Sequence, residues 1–200
     1  MFYDFRISFM DKIERTAKIL KEFGFSGACI VLREINELEK VKERIQDLKD
    51  FKFIVGLELC EERIGLMKEI KKFDYSVFRD PSYKTARMLA DKKKVDCIYF
   101  KDRFIIDDVL VKKLSENGVA IEFCFGDILN SDRIKQSIIL KKMMLIAKIC
   151  EKYNTNCLIT SGAENVFGLR NRNSLENFGR IIGFSRTKKF FSLLDRRKND

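Results

Sequence analysis

The sequence predicts an α/β fold, a distorted seven-stranded barrel of the TIM type that forms a single domain over residues 1–200. Three observations predict it. Seven short apolar segments alternate with amphipathic helical patterns, no change in composition divides the chain, and several of the apolar segments carry charged residues on one parity only. Strands that alternate with helices form a parallel sheet covered by helices, and this length suits one domain with a substantial core.

Each strand candidate is too short for a good helix, and most are rich in Val, Ile, Phe or Cys. The seven candidates are Phe2–Ile7, Gly27–Arg33, Lys52–Cys60, Asp74–Arg79, Val95–Lys101, Val119–Phe125 and Asn156–Ser161.

Charge on one parity of these strands favours a closed barrel over an open sheet. The charged residues are Asp4, Arg6, Glu58, Arg79, Lys101 and Glu122. An open doubly wound sheet needs central strands that are apolar on both faces. In a barrel, the apolar parity packs on the outer helices and the polar residues gather towards the carboxyl ends of the strands. Seven strands is one short of the usual eight, so we expect a small or imperfect barrel.

Start signals for helices follow two of the strands. Asn36 with Glu39 resembles a capping box, in which each side chain hydrogen-bonds a free amide of the first turn. Asp80 precedes Pro81, and this pair predicts a helix whose first residue is the proline.

Two further helices have readable ends. Asn117-Gly118 ends a helix that begins near Asp107, because glycine readily adopts the left-handed conformation that terminates helices. The longest helix runs from about Ser131 to Tyr153. Its predicted apolar stripe comprises Ile134, Ile138, Leu145 and Ile149.

The pattern changes after Ser161. Residues 162–172 are predicted as a loop, and Ser174–Ile182 and Arg186–Leu194 as two helices, so that 162–194 form a C-terminal loop with helices. Residues 195–200 are predicted to be a frayed basic tail.

The charge balance indicates a polyanionic partner. The sequence has 40 Lys and Arg against 30 Asp and Glu, a formal net charge of +10. Nucleic acid is the usual partner for an excess of this size, and a uniformly basic surface is the alternative. The sequence contains no histidine, which excludes Ser-His, Cys-His and His-metal chemistry and with them most hydrolases.

The cysteines are expected to be small core residues in a reducing compartment. They are Cys29, Cys60, Cys97, Cys124, Cys150 and Cys157. None forms a C-x-x-C pair, and most lie in apolar runs. The start of the chain lacks a signal pattern and no run approaches a membrane span, so we expect a cytoplasmic protein without a membrane partner.

The charged residues of the strands allow three interpretations. Asp4, Glu58 and Glu122 could hold Mg²⁺ or Mn²⁺, which would make the protein a metal-dependent phosphoesterase. However, three cations share the region and would pair with these carboxylates, so a structural ion-pair network is favoured. In the third interpretation, Lys101 serves a metabolic barrel enzyme as a Schiff-base or proton-transfer lysine.

Basic residues outside the strands are candidates for RNA contact. Arg170 and Arg172 belong to the run Arg170–Asn173, whose forked donors and amides can engage phosphates and exposed bases. A plain solvated loop is the alternative. Arg170, Arg172 and Lys188 are the first candidates for phosphate contact, and Arg79 and Lys101 come second because carboxylates of the strand ends can occupy them.

Two stretches resemble the ribonuclease P protein component 3 family. One is Cys157–Ala163 with Gly168-Leu-Arg170 after it, and the other is the opening Tyr3–Arg6. Order, length and charge extend the resemblance over the chain. The family is similar in fold to polymerase-and-histidinol-phosphatase barrels, whose His-x-His pair is here Asp4-Phe5-Arg6. The resemblance therefore implies that the metal site of those enzymes is lost.

The resemblance also implies a function and partners. It implies a non-catalytic subunit of ribonuclease P that binds and stabilises the catalytic RNA, which removes the 5′ leader of precursor tRNA. It implies a smaller protein subunit as partner and contact with precursor tRNA through the complex. Mg²⁺ would serve the RNA of the holoenzyme, with no cofactor on this chain. The family often has a proline shortly after the arginine of its Leu-Arg motif, whereas Asn171 follows Arg170 here, so the loop is expected to take its own path.

Overall fold

A computed structural model describes residues 2–8, 13–48, 50–102 and 104–185. Seven parallel strands form one sheet in which each strand is hydrogen-bonded to the next along the chain. The strands are β1 (Tyr3–Ile7), β2 (Gly27–Leu32), β3 (Lys52–Leu59), β4 (Tyr75–Arg79), β5 (Cys97–Tyr99), β6 (Ala120–Cys124) and β7 (Cys157–Thr160). All seven predicted strands are therefore present, and β5 is shortened most.

The sheet closes on itself at one seam. Ile7, at the end of β1, forms a single parallel bridge to Ala163, just beyond β7. The amide of Ser8 donates to the carbonyl of the same alanine at 2.9 Å. The result is a nearly closed seven-stranded barrel in one domain, as the sequence predicted.

Helices cover the outside of the barrel. The α-helices are α1 (Ile13–Glu22), α2 (Leu38–Ile45), α3 (Tyr83–Lys92), α4 (Asp108–Asn117), α5 (Gly126–Leu129), α6 (Arg133–Tyr153) and α7 (Arg172–Ile181). Short 3-10 segments lie at Ile35–Glu37 and Val166–Gly168, and a longer one with a kink at Arg63 covers Glu61–Lys72. No helix of the described ranges has the length and apolar character needed to cross a membrane.

Two separate apolar clusters follow the parity of the strands. The larger one joins the outer face of the sheet to the helices and includes Ile121 and Phe123 of β6. The smaller one fills the barrel. It comprises Tyr3, Phe5, Cys29, Val31, Ile54, Tyr75, Val77, Cys97, Tyr99, Ala120, Cys124 and Leu158. All six cysteines are buried free thiols, which confirms their predicted place in the core.

A bulge in β1 directs the side chain of Arg6 into the barrel. Asp4 pairs with Ala28, but Ile7 pairs with Ile30, so β1 carries one extra residue between the two pairs. A bulge of this kind re-aims side chains at the end of a strand. Phe5 belongs to the inner cluster, and the next residue, Arg6, also reaches side chains inside the barrel.

Two predicted helix starts are wrong. Asn36 lies within a 3-10 turn, and no side chain caps α2. The cap of α3 is Ser82, whose Oγ accepts from the amide of Thr85 at 3.2 Å. Asp80 cannot fill that place because its carboxylate accepts from the amides of two residues that follow β5.

The predicted apolar stripe of α6 is also wrong, because the helix packs through a different face. Its buried residues are Ile139, Met143, Ile146, Ala147 and Cys150. Three residues of the predicted stripe point outwards, with Ile134 at 77%, Ile138 at 49% and Leu145 at 63% exposure, and the fourth, Ile149, is half-buried against the core. Both faces have helical spacing, so periodicity could not tell which one meets the barrel. By contrast, α4 begins and ends as predicted, at the cap Asp107 and at Gly118.

The C-terminal segment departs from prediction at Arg172, which is the first residue of α7 rather than part of a loop. The side chain of Asn171 caps this helix by accepting from the amide of Ser174 at 2.8 Å. The predicted helix Arg186–Leu194 and the tail 195–200 lie outside the described residues.

Replacement of Gly162 by alanine is expected to lower the free energy of unfolding by about 2–3 kcal/mol. Gly162 has φ +65°, and a Cβ at this position would overlap the sulfur of Cys124 inside the barrel. Gly65→Ala is the matched control, because a Cβ there meets open space. Urea unfolding measures both variants, and equal stability of the two would contradict the close packing at Gly162.

Candidate functional site

The carboxyl ends of the strands converge on one buried guanidinium, that of Arg6. Its Nε and Nη2 donate to the two carboxylate oxygens of Glu122 at 2.5 and 2.8 Å. Its Nη1 donates to Oε2 of Glu58 at 2.5 Å. The guanidinium also lies over the ring of Tyr99, 4.2 Å from the centroid. Arg6 thus links β1 to β3 and to β6 inside the barrel.

Glu58 is shared among three arginines. Besides Arg6, its Oε1 lies 3.1 Å from Nε of Arg33 and 3.4 Å from Nη1 of Arg79. Burial alone would raise the pKa of Glu58, but the charge and hydrogen bond of Arg6, with the charges of Arg79 and Arg33, lower it below its ordinary value. This carboxylate is therefore ionised and saturated with donors.

Two aspartates near this network are less well compensated. Oδ1 of Asp4 accepts from the amides of Ser161 and Arg6, and Oδ1 of Asp127 accepts from the hydroxyl of Tyr99 at 2.6 Å. The second oxygen of each carboxyl has no hydrogen-bond partner among the described residues. Burial is the main cause that raises the pKa of each aspartate to about 6.

The arrangement does not favour the metal site predicted as an alternative from Asp4, Glu58 and Glu122. Both glutamates bind the same guanidinium, whose positive charge repels a cation. Asp4 hydrogen-bonds backbone amides rather than joining them. Within the residues that the structure describes, no three His, Cys, Asp or Glu side chains are placed to hold a metal ion.

A cleft of about 200 Å³ opens above the network. Besides Arg6 and Glu58, its charged lining comprises the cations Arg33, Arg79, Lys101 and Lys135 and the carboxylates Asp102, Asp127 and Glu164. The side chains of Arg33 and Arg79 are 54% and 28% exposed, so each presents part of its guanidinium to solvent. Lys101 shares the cleft with carboxylates instead of the apolar pocket that activates a Schiff-base lysine.

Arg170 lies in the loop between β7 and α7. Its Nη1 donates to the carbonyls of Phe167 and Leu169 at 2.8 and 2.7 Å. Its guanidinium carbon lies 5.8 Å from the centroid of the Phe125 ring. In the described part of the chain, Nε and Nη2 of Arg170 have no hydrogen-bond partner, so two nitrogens can donate to a ligand.

Arg172 and Lys188, the other two first candidates for phosphate contact, differ from Arg170. Arg172 donates from Nε to Glu176 at 2.6 Å and stacks over the ring of Phe2 at 3.3 Å, so its charge is engaged within the chain. Lys188 lies outside the described residues. The structure thus places Arg79 and Lys101 together at the cleft, but it does not bring Arg172 to them.

Sequence reasoning missed Arg33, Asp127 and Phe167. Arg33 could have been found, since it ends a predicted strand on the same parity as Val31. Asp127 follows β6 in the short helix α5, which carried no sequence signal. Phe167 is 91% exposed, whereas an aromatic between apolar neighbours ordinarily indicates burial.

Arg6→Met is expected to destabilise the protein by about 3–5 kcal/mol, because it leaves the buried carboxylate of Glu122 without its cation and removes the buried one of the three arginines that pair with Glu58. Arg180→Ala is the control. Arg180 is exposed on α7 and bonds only Asn177 in the described residues, so its loss should cost at most about 0.5 kcal/mol. Chemical denaturation gives both values, and a loss below about 1 kcal/mol for Arg6→Met would contradict the role of the network.

Acidification from pH 7 to pH 5 is expected to increase the contribution of Asp4 and Asp127 to stability by about 1 kcal/mol each. Their pKa values are raised in the folded state, so the folded protein takes up protons in this window while the unfolded chain does not. Asp127→Asn keeps an oxygen that can accept the hydrogen bond of the Tyr99 hydroxyl, and it removes the carboxyl group that titrates. Urea unfolding at pH 7 and pH 5 should show that the increase in the free energy of unfolding is about 1 kcal/mol smaller in this variant than in the wild type. An equal increase in both proteins would be inconsistent with a raised pKa at Asp127.

Comparisons with known proteins agree with this architecture. A family model described as RNase P subunit p30 matches residues 1–191. Ribonuclease P protein component 3 of Methanococcus maripaludis strain C5 is 29% identical over 178 residues, which cover 82% of this chain and 77% of that protein. Its namesake in Methanothermobacter thermautotrophicus is 24% identical over 96% of this chain and 85% of its own length.

A solved structure has the same fold. It is a chain of an archaeal ribonuclease P with mature tRNA, determined by cryo-electron microscopy, and it superposes with a TM-score of 0.74 at 24% identity. The match covers 90% of this chain and 86% of that chain. Since the family model spans nearly the whole sequence, this protein belongs to the RNase P subunit p30 family.

Proposed function

We infer that this chain is a non-catalytic protein subunit of ribonuclease P, which binds and stabilises the catalytic RNA that removes the 5′ leader of precursor tRNA. The match of the family model over residues 1–191 is the observation that carries this inference. The Arg6 network supports it, because Glu58 and Glu122 are bound to a guanidinium at the end of the barrel where the active sites of such barrels lie.

We propose that Arg170 is the first phosphate contact. Its Nε and Nη2 are free to donate, and among the described residues its charge has no carboxylate partner, whereas that of Arg172 is paired with Glu176. Arg79 and Lys101 are second candidates, and Arg33 joins them because it shares Glu58 and is half exposed. Arg172 becomes a weaker candidate because it is paired with Glu176. Lys188 remains a candidate on its charge alone.

We also propose a smaller protein subunit as partner, with precursor tRNA contacted through the complex and Mg²⁺ required by the RNA. The outward face of α6 supports a protein partner. Ile134, Ile138 and Leu145 recur at helical spacing on this face and are all exposed. Apolar surface of this kind marks interfaces between proteins.

Recovery of the protein from its own cells tests the proposal. The chain is tagged and purified at moderate salt, and the RNA that accompanies it is sequenced. Strong enrichment of the ribonuclease P RNA is expected. Recovery of no RNA, or of bulk RNA that washes away as salt rises, would contradict the proposed function and reduce the net charge to a general surface property.

Arg170→Ala is expected to weaken binding to that RNA roughly fivefold at physiological salt and to lower the salt slope by about one unit. Lys92→Ala removes one charge at the opposite end of the barrel, where α3 ends, and serves as the control. Filter binding over a range of salt concentrations measures both quantities. If the two variants have the same affinity and salt slope, Arg170 is not a phosphate contact.

A further inference from the structure

We propose that Phe167 is a stacking platform for one unpaired RNA base, and that Arg170 contacts the phosphate of the same or the next nucleotide. The inference rests on the proposed function, since it names the part of the RNA that the loop between β7 and α7 receives. The expected ligand is a single-stranded or bulged nucleotide rather than a base pair, because stacking on a side chain needs a free face of the base.

Phe167 is 91% exposed, more than any other large apolar side chain of the described residues. Burial of a phenylalanine side chain ordinarily stabilises a protein by about 1.5–3 kcal/mol, and the folded chain does without this contribution here. The three other apolar residues of the same loop, Ala163, Val166 and Leu169, are buried or half-buried. Phe167 is therefore the apolar surface of this loop that a ligand can cover.

Hydrogen bonds and close packing hold the backbone at Phe167, so the point from which the side chain projects is well defined. The side chain of Asn165 accepts hydrogen bonds from the amides of Phe167 and Gly168 at 3.0 and 3.2 Å. Gly168 packs so closely on Ala163 that a Cβ would lie 3.1 Å from the alanine Cα. Ala163 is in turn bridged to Ile7 of β1. Because the backbone is already ordered, only the side-chain torsions of Phe167 lose conformational entropy when a base stacks on the ring.

Arg170 completes the site. Its Nη1 donates to the carbonyl of Phe167 at 2.8 Å, so the guanidinium lies next to the backbone of the aromatic residue. Nε and Nη2 remain available to donate to a phosphate. An aromatic ring beside a forked cation is the usual pair for a nucleotide, the ring for the base and the cation for the phosphate.

The surroundings favour RNA over a protein partner. The exposed neighbours of Phe167 along the loop are polar, namely Glu164, Asn165 and Asn171, and so is Asn173 at the start of α7. A protein interface has an apolar centre of several residues, and α6 offers such a face elsewhere on the barrel. The surroundings of Phe167 are amides, one carboxylate and an arginine, so the loop offers a single apolar ring face, which is what a base contact needs.

The test compares three variants in binding to the RNA that accompanies the wild-type protein. Phe167→Leu keeps the apolar character but removes the ring, and we expect it to weaken binding about 5- to 100-fold. Phe167→Tyr keeps the ring and should stay within about threefold of the wild type. Ile181→Ala, at a residue of α7 that is 63% exposed, is the control and should bind like the wild type.

A second readout does not depend on the variants. Ultraviolet cross-linking of the wild-type complex, followed by mass spectrometry, should place a nucleotide on the peptide that contains residues 164–170. Wild-type affinity of Phe167→Leu would overturn the inference, and so would the absence of a cross-link in this peptide. Equal weakening of the Leu and Tyr variants would overturn it too, because a ring face would then not be what binds.

Three outcomes distinguish a wrong assignment of Phe167 from a wrong proposed function. If Phe167→Leu keeps the RNA but loses a protein from the purified complex, Phe167 is a protein contact and the base-stacking assignment is wrong. If the wild-type protein recovers no specific RNA, the proposed function itself fails. Specific RNA binding by the wild type with full binding by Phe167→Leu leaves the proposed function intact and removes only the platform.

Discussion

The pairing of Arg6 with Glu58 and Glu122 is the constraint on which the rest of the barrel depends. The guanidinium is 116 residues from Glu122 and 52 from Glu58 along the chain, so a single side chain fixes the relative positions of the first, third and sixth strands. Charges removed from water in this way are tolerable only when each has a partner. Here the bidentate contact with Glu122 and the stacking on Tyr99 supply that compensation. The bulge in β1 is what brings Arg6 into this position.

The same network shapes what the end of the barrel can do. A carboxylate that is to ligate a metal or transfer a proton needs free lone pairs, whereas Glu58 faces three arginines. The excess of guanidinium groups leaves Arg33 and Arg79 partly turned towards solvent. The carboxyl ends of the strands thus carry a compensated ion-pair network with two partly exposed guanidinium groups, which fits the proposed contact with a polyanion.

Most of the architecture could be predicted because strand alternation leaves a clear trace in the sequence. Val31, Ile121 and Phe123 lie on the faces that parity assigns to them. The side of α6 that packs could not be predicted, since two apolar faces compete and only the position of the barrel decides between them. The same holds for Arg172, whose role depends on the distant Phe2. Arg170 was found by its residue type, whereas Phe167 was not, because exposure of an aromatic residue is a property of the folded loop.

The seam between β1 and β7 joins a segment that is synthesised early to one that is synthesised late, and this affects when the barrel can close. The loop that carries Arg170 stands on Ala163, which is joined to Ile7, and the carboxylate of Asp4 accepts from the amide of Ser161, 157 residues away. The first strand leaves the ribosome early and its partner much later. This loop therefore acquires its shape only after translation has reached the last strand, and a ligand that recognises it selects finished molecules over nascent ones.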